Sequence, residues 1–206
     1  MPPACAGCGR SGVLLCPTCR TGLTPVFDVR DRFVAPDAGV VIGEALLLAL
    51  AAFAHAGPMR RALAALKYTG VSRLAPILAR AAMPSLSRLT EISGPATLVP
   101  VPVHRERLRA RGYNQAALLA RALARTDLPV REVLERTRPT TKQHRLNRAA
   151  RLHNLRGAFA AAEAPPPIVI LVDDIITTTA TLEACASVLR EAGCEAVYGL
   201  AIAREV

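Results

Sequence analysis

Tryptophan is absent from this 206-residue chain, and aromatic residues of all kinds make up 3% of it. That scarcity excludes a surface that reads many stacked bases, because such surfaces are built from aromatic platforms. Long apolar runs are missing as well. The most apolar stretch, Glu44 to Gly57, is about fourteen residues against the roughly twenty that span a bilayer, so no membrane insertion is expected. The chain opens Met1-Pro2-Pro3-Ala4-Cys5, with no basic segment and apolar run, so no leader is read there and a cytoplasmic location is the expectation. Acidic residues are few, 16 against 26 basic ones, and only two of the basic residues are lysine. The resulting charge of +10 points to anionic partners, since guanidinium groups make forked hydrogen bonds to phosphate oxygens. Charge alone does not separate a pyrophosphate from a nucleotide, a nucleic-acid backbone or a merely solvated surface, so the location of the arginines counts for more than their sum. What is present in quantity is apolar side chain, 51% of the residues, enough for one main domain with a small appendage.

Four of the six cysteines fall in two C-x-x-C pairs, Cys5-Ala6-Gly7-Cys8 and Cys16-Pro17-Thr18-Cys19. Each pair folds naturally as a knuckle presenting two thiolates, and two knuckles complete a tetrahedral four-sulfur shell for Zn²⁺. Such a closed site is structural, with no position left for a catalytic water. A redox dithiol or a disulfide pair is the rival reading, disfavoured in a reducing cytoplasm. The spacing predicts a zinc-binding head over residues 1–24, unfolded without metal, and a main domain over 25–206. Cys185 and Cys194 have no such spacing and read as small core residues.

The most informative segment is Ile168-Val169-Ile170-Leu171-Val172-Asp173-Asp174, followed by Ile175-Ile176-Thr177-Thr178-Thr179-Ala180-Thr181-Leu182. Five consecutive apolar residues fit a parallel strand covered on both faces, with the acids emerging at its carboxyl end. Leu182, Cys185, Ala186 and Leu189 then recur at helical spacing, and Gly193 stands where the helix should stop. The threonines therefore sit at a helix amino terminus, where unpaired N–H groups and the helix dipole favour a phosphate. Two carboxylates just before it suit ribose hydroxyls. An ordinary strand-to-helix turn capped by Asp and Thr is the plainer alternative.

Elsewhere the chain alternates strands and helices. Residues 21–39 read as a connector, Ala45 to Phe53 as strand or helix, and Met59 to Tyr68 and Val71 to Met83 as helices separated by Gly70. A proline- and glycine-punctuated stretch follows around Pro84 to Ala96. Thr97 to Val101 reads as a strand, Asn114 to Arg125 as a helix, Val130 to Leu134 as a further strand and Ala196 to Ile202 as the last. Such alternation implies an α/β fold with a parallel sheet wrapped by helices and ligands at the strand carboxyl ends. There is no internal repeat.

The strand, two acids and threonine-rich turn resemble the signature of type I phosphoribosyltransferases. That resemblance implies phosphoribosyl pyrophosphate as ligand, with Mg²⁺, Asp173 and Asp174 on the ribose and Thr177, Thr178, Thr179, Ala180 and Thr181 around the 5′-phosphate. Thr179 departs from the pattern, which usually has glycine there. Val99-Pro100-Val101-Pro102, His104, Arg111-Gly112-Tyr113-Asn114-Gln115 and Leu66-Lys67-Tyr68-Thr69-Gly70 are similar to segments of the ComF family, a phosphoribosyltransferase-like group associated with DNA uptake. With the cysteine head, the likeness runs from Cys5 to Arg204. It implies a type I phosphoribosyltransferase-like α/β sheet and a role beside DNA-uptake machinery, either as a transferase of unknown acceptor or as a non-enzymatic protein that binds single-stranded DNA. Arg105, Arg107, Arg109 and Arg111 form a basic loop after the Thr97 strand, and Lys142, Arg145 and Arg148 lie in a stretch placed like the flexible hood of type I phosphoribosyltransferases. All seven are candidates for the pyrophosphate. His144 and His153 read as solvent-facing.

Overall fold

The computed structural model describes residues 2–26, 40–139, 155 and 157–205. Its strands are β1 (Val40–Val41), β2 (Leu48–Ala54), β3 (Thr97–Pro100), β4 (Leu134–Arg136), β5 (Phe159–Ala161), β6 (Ile168–Ile176) and β7 (Ala196–Arg204). Five of them form one sheet in the order β1-β2-β7-β6-β3, parallel except for the β1–β2 pair. Its helices are α1 (Pro17–Thr21), α2 (Gly57–Tyr68), α3 (Ala75–Ser93), α4 (Arg105–Arg111), α5 (Gln115–Leu123) and α6 (Ala180–Glu191). The expected α/β architecture, a parallel sheet flanked by helices with a cysteine head, is the one observed. The unsettled stretch around Ala45 to Phe53 is a strand, because Leu48 to Ala54 pairs with β7 and is buried along almost its whole length.

Both faces of the sheet are covered, which is why its central strands lack apolar–polar alternation. On one side Leu50, Ile170, Val172, Leu200 and Ile202 meet the apolar stripes of α2, α3 and α5. On the other, Val99, Val169, Leu171, Val197 and Ala201 meet α6 and the two-stranded β4–β5 sheet.

Four differences from the sequence expectation have physical causes. Helix α3 runs through Pro84 to Ser93 instead of ending at Met83. An internal proline costs about 3 kcal/mol, whereas Leu86 and Leu89, both fully buried, each contribute roughly 1.5–3 kcal/mol, so burial carries the helix past it. The strand expected over Val130 to Leu134 is a single bridge from Val130 to Leu98, after which the chain turns into β4 and pairs antiparallel with β5. The Arg105–Arg111 segment is a helix, α4, not a loop. The His104 imidazole accepts the Glu106 N–H at its start, and Gly112 ends it at φ 82°. Finally, β6 does not stop before the acids. It continues to Ile176 because β7 is equally long and takes up its backbone groups through Ile176↔Arg204.

The head is joined to the main body. Cys5, Leu15, Cys16, Cys19 and Leu23 share one apolar cluster with Met59, Leu63 and Leu66. Arg61 Nε of α2 donates to the Gly7 carbonyl, and a side chain at Gly7 would collide with Cys19 Sγ. A second tie holds the loop before β2. Glu183 of α6, only 5% exposed, accepts the N–H groups of Glu44, Ala45 and Leu46 at 3.0, 2.7 and 3.3 Å. A side chain at Gly43 would overlap that carboxylate.

Candidate functional site

The two C-x-x-C knuckles close on each other as their spacing predicts. The sulfur atoms of Cys5, Cys8, Cys16 and Cys19 all lie within 4.8 Å of one another. A tetrahedral zinc with bonds of about 2.3 Å needs sulfurs roughly 3.8 Å apart, and Cys8 Sγ and Cys16 Sγ are 3.7 Å apart. The cluster is thus consistent with a Zn²⁺ site. Electrostatics favour thiolate at Cys5 and Cys16. Burial pushes the Cys5 thiol upward, but the backbone N–H groups of Cys16, Cys8 and Gly7 outweigh it and bring the value down to about 6. At Cys16 the backbone N–H of Cys19 lowers the thiol against burial. Cys19, buried and sharing protons with its neighbours, is pushed up to about 12.

The second site stands at the carboxyl edge of the sheet. Strand β3 ends at Pro100, opposite Val172, while β6 runs on, so Asp173 and Asp174 begin where β3 has left. Strand alternation sends consecutive side chains toward different layers. Asp174, 2% exposed, turns to α2, where Lys67 Nζ lies 2.5 Å from its Oδ2. Asp173 lies on the layer of β4 and α6, where its charge is felt by Arg136 and Cys185. Burial, then the charge and hydrogen bond of Asp174, hold the Asp173 carboxyl well above the ordinary carboxylate range, and Lys67 acts in the opposite direction. Asp173 Oδ1 also accepts the Asp174 N–H at 2.8 Å.

Beyond the acids, Thr177, Thr178 and Thr179 form the turn into α6, whose first residues are Ala180 and Thr181. Thr179 caps the helix at φ −65°, ψ −10°, ordinary right-handed values, so the backbone here has no need of the glycine that the type I pattern carries. Its side chain is 8% exposed, and Oγ1 is buried with no hydrogen-bond partner. A buried hydroxyl without a partner at a helix amino terminus is an unsatisfied polar group.

The arginines of α4 divide. Arg105 reaches Glu135 at 3.9 Å, Arg107 is close enough to Arg136 to disfavour its charge, and Arg109 is exposed. Arg111 turns away to donate to Gln115 Oε1 and stand 5.8 Å from the Tyr68 ring. Lys142, Arg145 and Arg148, with His144 and His153, lie outside the described residues.

Three groups near the acids were missed in the sequence. Lys67 sits within a recognised segment, but nothing local connects it to Asp174. Arg136, half-buried with its guanidinium 5.2 Å from the Phe159 ring, looked like one arginine among many. Its charged form is disfavoured by burial and by Arg107. His55, just past β2, is held low by burial and sits in the fields of Glu205, Lys67 and Asp174. The signal was positional: each stands at or next to a strand end or helix end. A cleft of about 410 Å³ lies between α4, α5 and β4, with Val103, Tyr113, Leu118 and Arg136 among its walls and none of the acids or turn threonines lining it.

The chain is a distant homologue of two curated proteins. It is 35% identical over 122 residues to Competence protein F of Haemophilus influenzae, covering 55% of this chain and 53% of that one. It is 33% identical over 111 residues to DNA utilization protein YhgH of Escherichia coli, covering 51% and 48%. The chain thus spans about half the length of the curated relatives it matches. No family model matches it. Among the described residues, no helix is long and apolar enough to cross a membrane.

Proposed function

We propose that this chain is a ComF-type, phosphoribosyltransferase-like protein whose site takes phosphoribosyl pyrophosphate with Mg²⁺, and that its cysteine head holds a structural Zn²⁺. The observation that carries the reading is the β6–turn–α6 unit. It sets two acids at the sheet edge and, a few residues on, a helix amino terminus with a buried, unpartnered Thr179 hydroxyl. On this reading Thr177 to Thr181 hold the 5′-phosphate through backbone N–H groups and hydroxyls. Asp173 and Asp174 hold the ribose and stabilise positive charge that develops on the ring as the pyrophosphate departs. Mg²⁺, when bound, neutralises the pyrophosphate. Arg107 and Arg136 supply further positive charge beside Asp173, with Arg105 and Arg109 on the same exposed helix. Positioning and electrostatics carry the reaction, and no protein nucleophile is required.

A second reading, a non-enzymatic protein that binds single-stranded DNA, is favoured by one feature. Helix α4 buries none of its residues, and Arg105, Arg107 and Arg109 are exposed along it. The two relatives named for competence and DNA utilization agree with either reading.

Calorimetric titration with phosphoribosyl pyrophosphate and Mg²⁺ separates the two. Binding to the parent, lost in an Asp173→Asn, Asp174→Asn double variant that still melts cooperatively, supports the sugar-phosphate site, and pyrophosphate release with a candidate acceptor makes it a transferase. Absence of binding, with single-strand affinity whose logarithm falls with log salt at about −0.7 per phosphate contacted, moves the function to DNA.

A further inference from the structure

An exposed tyrosine on a helix needs no explanation by itself. Tyr68 is distinguished by where it stands and by what surrounds it. It is the last residue of α2, next to Lys67, whose ammonium pairs with Asp174. The residue is 65% exposed, the only large aromatic exposure among the described residues of a chain poor in aromatics. The Arg111 guanidinium lies 5.8 Å from the ring centroid, within cation–π range, and is itself fixed by Gln115 Oε1. Two residues before Tyr68, the Leu66 carbonyl accepts the Tyr113 hydroxyl, so the turn that follows Arg111 is latched to the end of α2. The latch draws together two segments far apart in the sequence, Leu66 to Gly70 and Arg111 to Gln115. A tyrosine braced in this way loses little freedom when a second ring settles on it.

We propose that Tyr68 and Arg111 form a stacking platform for a single planar heteroaromatic ring, a nucleobase of a free nucleotide or of one position in a single strand. Stacking on tyrosine tolerates any base because every base presents a π-face, and an adjacent guanidinium favours a ligand that also carries phosphate. Among the described residues no other ring is so exposed, which limits the platform to one base. The proposal takes only its location from the sugar-phosphate reading, since the platform borders the acid pair through Lys67.

The absence of tryptophan makes the test direct. A Tyr68→Trp variant carries one indole, whose emission reports stacking. It is titrated with adenosine 5′-monophosphate, with a decathymidylate and with phosphoribosyl pyrophosphate plus Mg²⁺, the last having no aromatic ring. Quenching by the mononucleotide supports the platform with a free nucleotide as source, and quenching by the decathymidylate alone supports it with a single strand as source. In either case Tyr68→Ala weakens affinity for that ligand about ten-fold or more, with an unchanged melting temperature, and leaves phosphoribosyl pyrophosphate affinity within two-fold by calorimetry, roughly the scatter of a surface change. The absence of quenching by either ring-bearing ligand overturns the platform, as does a Tyr68→Ala variant that binds both as the parent does. Calorimetry on the parent keeps the readings apart. Ring stacking without phosphoribosyl pyrophosphate binding leaves the platform standing and removes the sugar-phosphate site, and the converse does the reverse.

Discussion

The two ends of α2 rest on sites built in opposite ways. At the amino end, Arg61 and the apolar face reach the cysteine head, whose four sulfurs come from a stretch running only from Cys5 to Cys19. At the carboxyl end, Lys67 meets Asp174, a residue of β6 far along the chain. The first site is assembled by local chain reversal and brings together four sulfurs consistent with a Zn²⁺ site. The second is assembled by the sheet, and one of its two acids already has a protein cation as partner. A helix that bridges the two carries information about both, and changes at its ends should differ in size and in what rescues them.

The largest effect should come from the head. Cys16 is fully buried in the cluster that includes Met59 and Leu63, so on the zinc reading loss of the metal should open the core as well as the knuckles. Cys16→Ser, or a strong chelator on the parent, is expected to lower the melting temperature by about 10 °C or more, the scale of a structural metal in a small domain. Metal content by elemental analysis should fall in step. An unchanged melting curve in chelator would make the cysteines ordinary core and remove the contrast between the two ends.

The other end of α2 should give the next effect. Lys67→Met strands the Asp174 carboxylate in a site 2% exposed, and breaking a buried pair from one side costs about 3–5 kcal/mol. Asp174→Asn added to the same chain should restore most of that loss in urea denaturation. Additive losses instead would mean that the pair is not held together in solution.

Asp173 gives the smallest effect, of opposite sign. Its carboxyl is raised first by burial and then by Asp174. An acid raised in the folded state contributes stability that is complete below the ordinary value of 3.8 and is lost as pH rises through the folded value. At neutral pH, where the unfolded chain gives up this proton freely, the raised carboxyl therefore opposes folding. Asp173→Asn should stabilise the protein at pH 7, by an amount of the order of 1 kcal/mol, and flatten the decline of stability with pH. A loss of stability at pH 7 would show that Arg136 and Lys67 compensate the carboxylate fully.

Much of this was legible in the sequence where the determinant is local. The C-x-x-C spacing, the β-branched run of β6 and the helical spacing of Leu182, Cys185, Ala186 and Leu189 each express a short-range rule. Other features follow from contacts that no window contains. The continuation of β6 through both acids depends on the length of β7, and the continuation of α3 past Pro84 depends on the core waiting for Leu86 and Leu89. That Arg105 to Arg111 form a helix is local, through the His104 cap and Gly112, yet their high charge made the stretch read as a loop.

By itself the sequence determined a cysteine cluster, an α/β alternation, and two acids followed by hydroxyls at a helix amino terminus. Ligand spacing, residue shape and the unpaired groups of a helix end are all properties of a few neighbouring residues. Only the tertiary structure decided that Asp174 faces Lys67 while Asp173 lies on the layer of β4 and α6, that Tyr68 is braced by Arg111, and that one helix runs from the head to the acids. The reason is geometric. Strand alternation and sheet order choose which distant side chains meet, and burial then makes those meetings strong enough to matter.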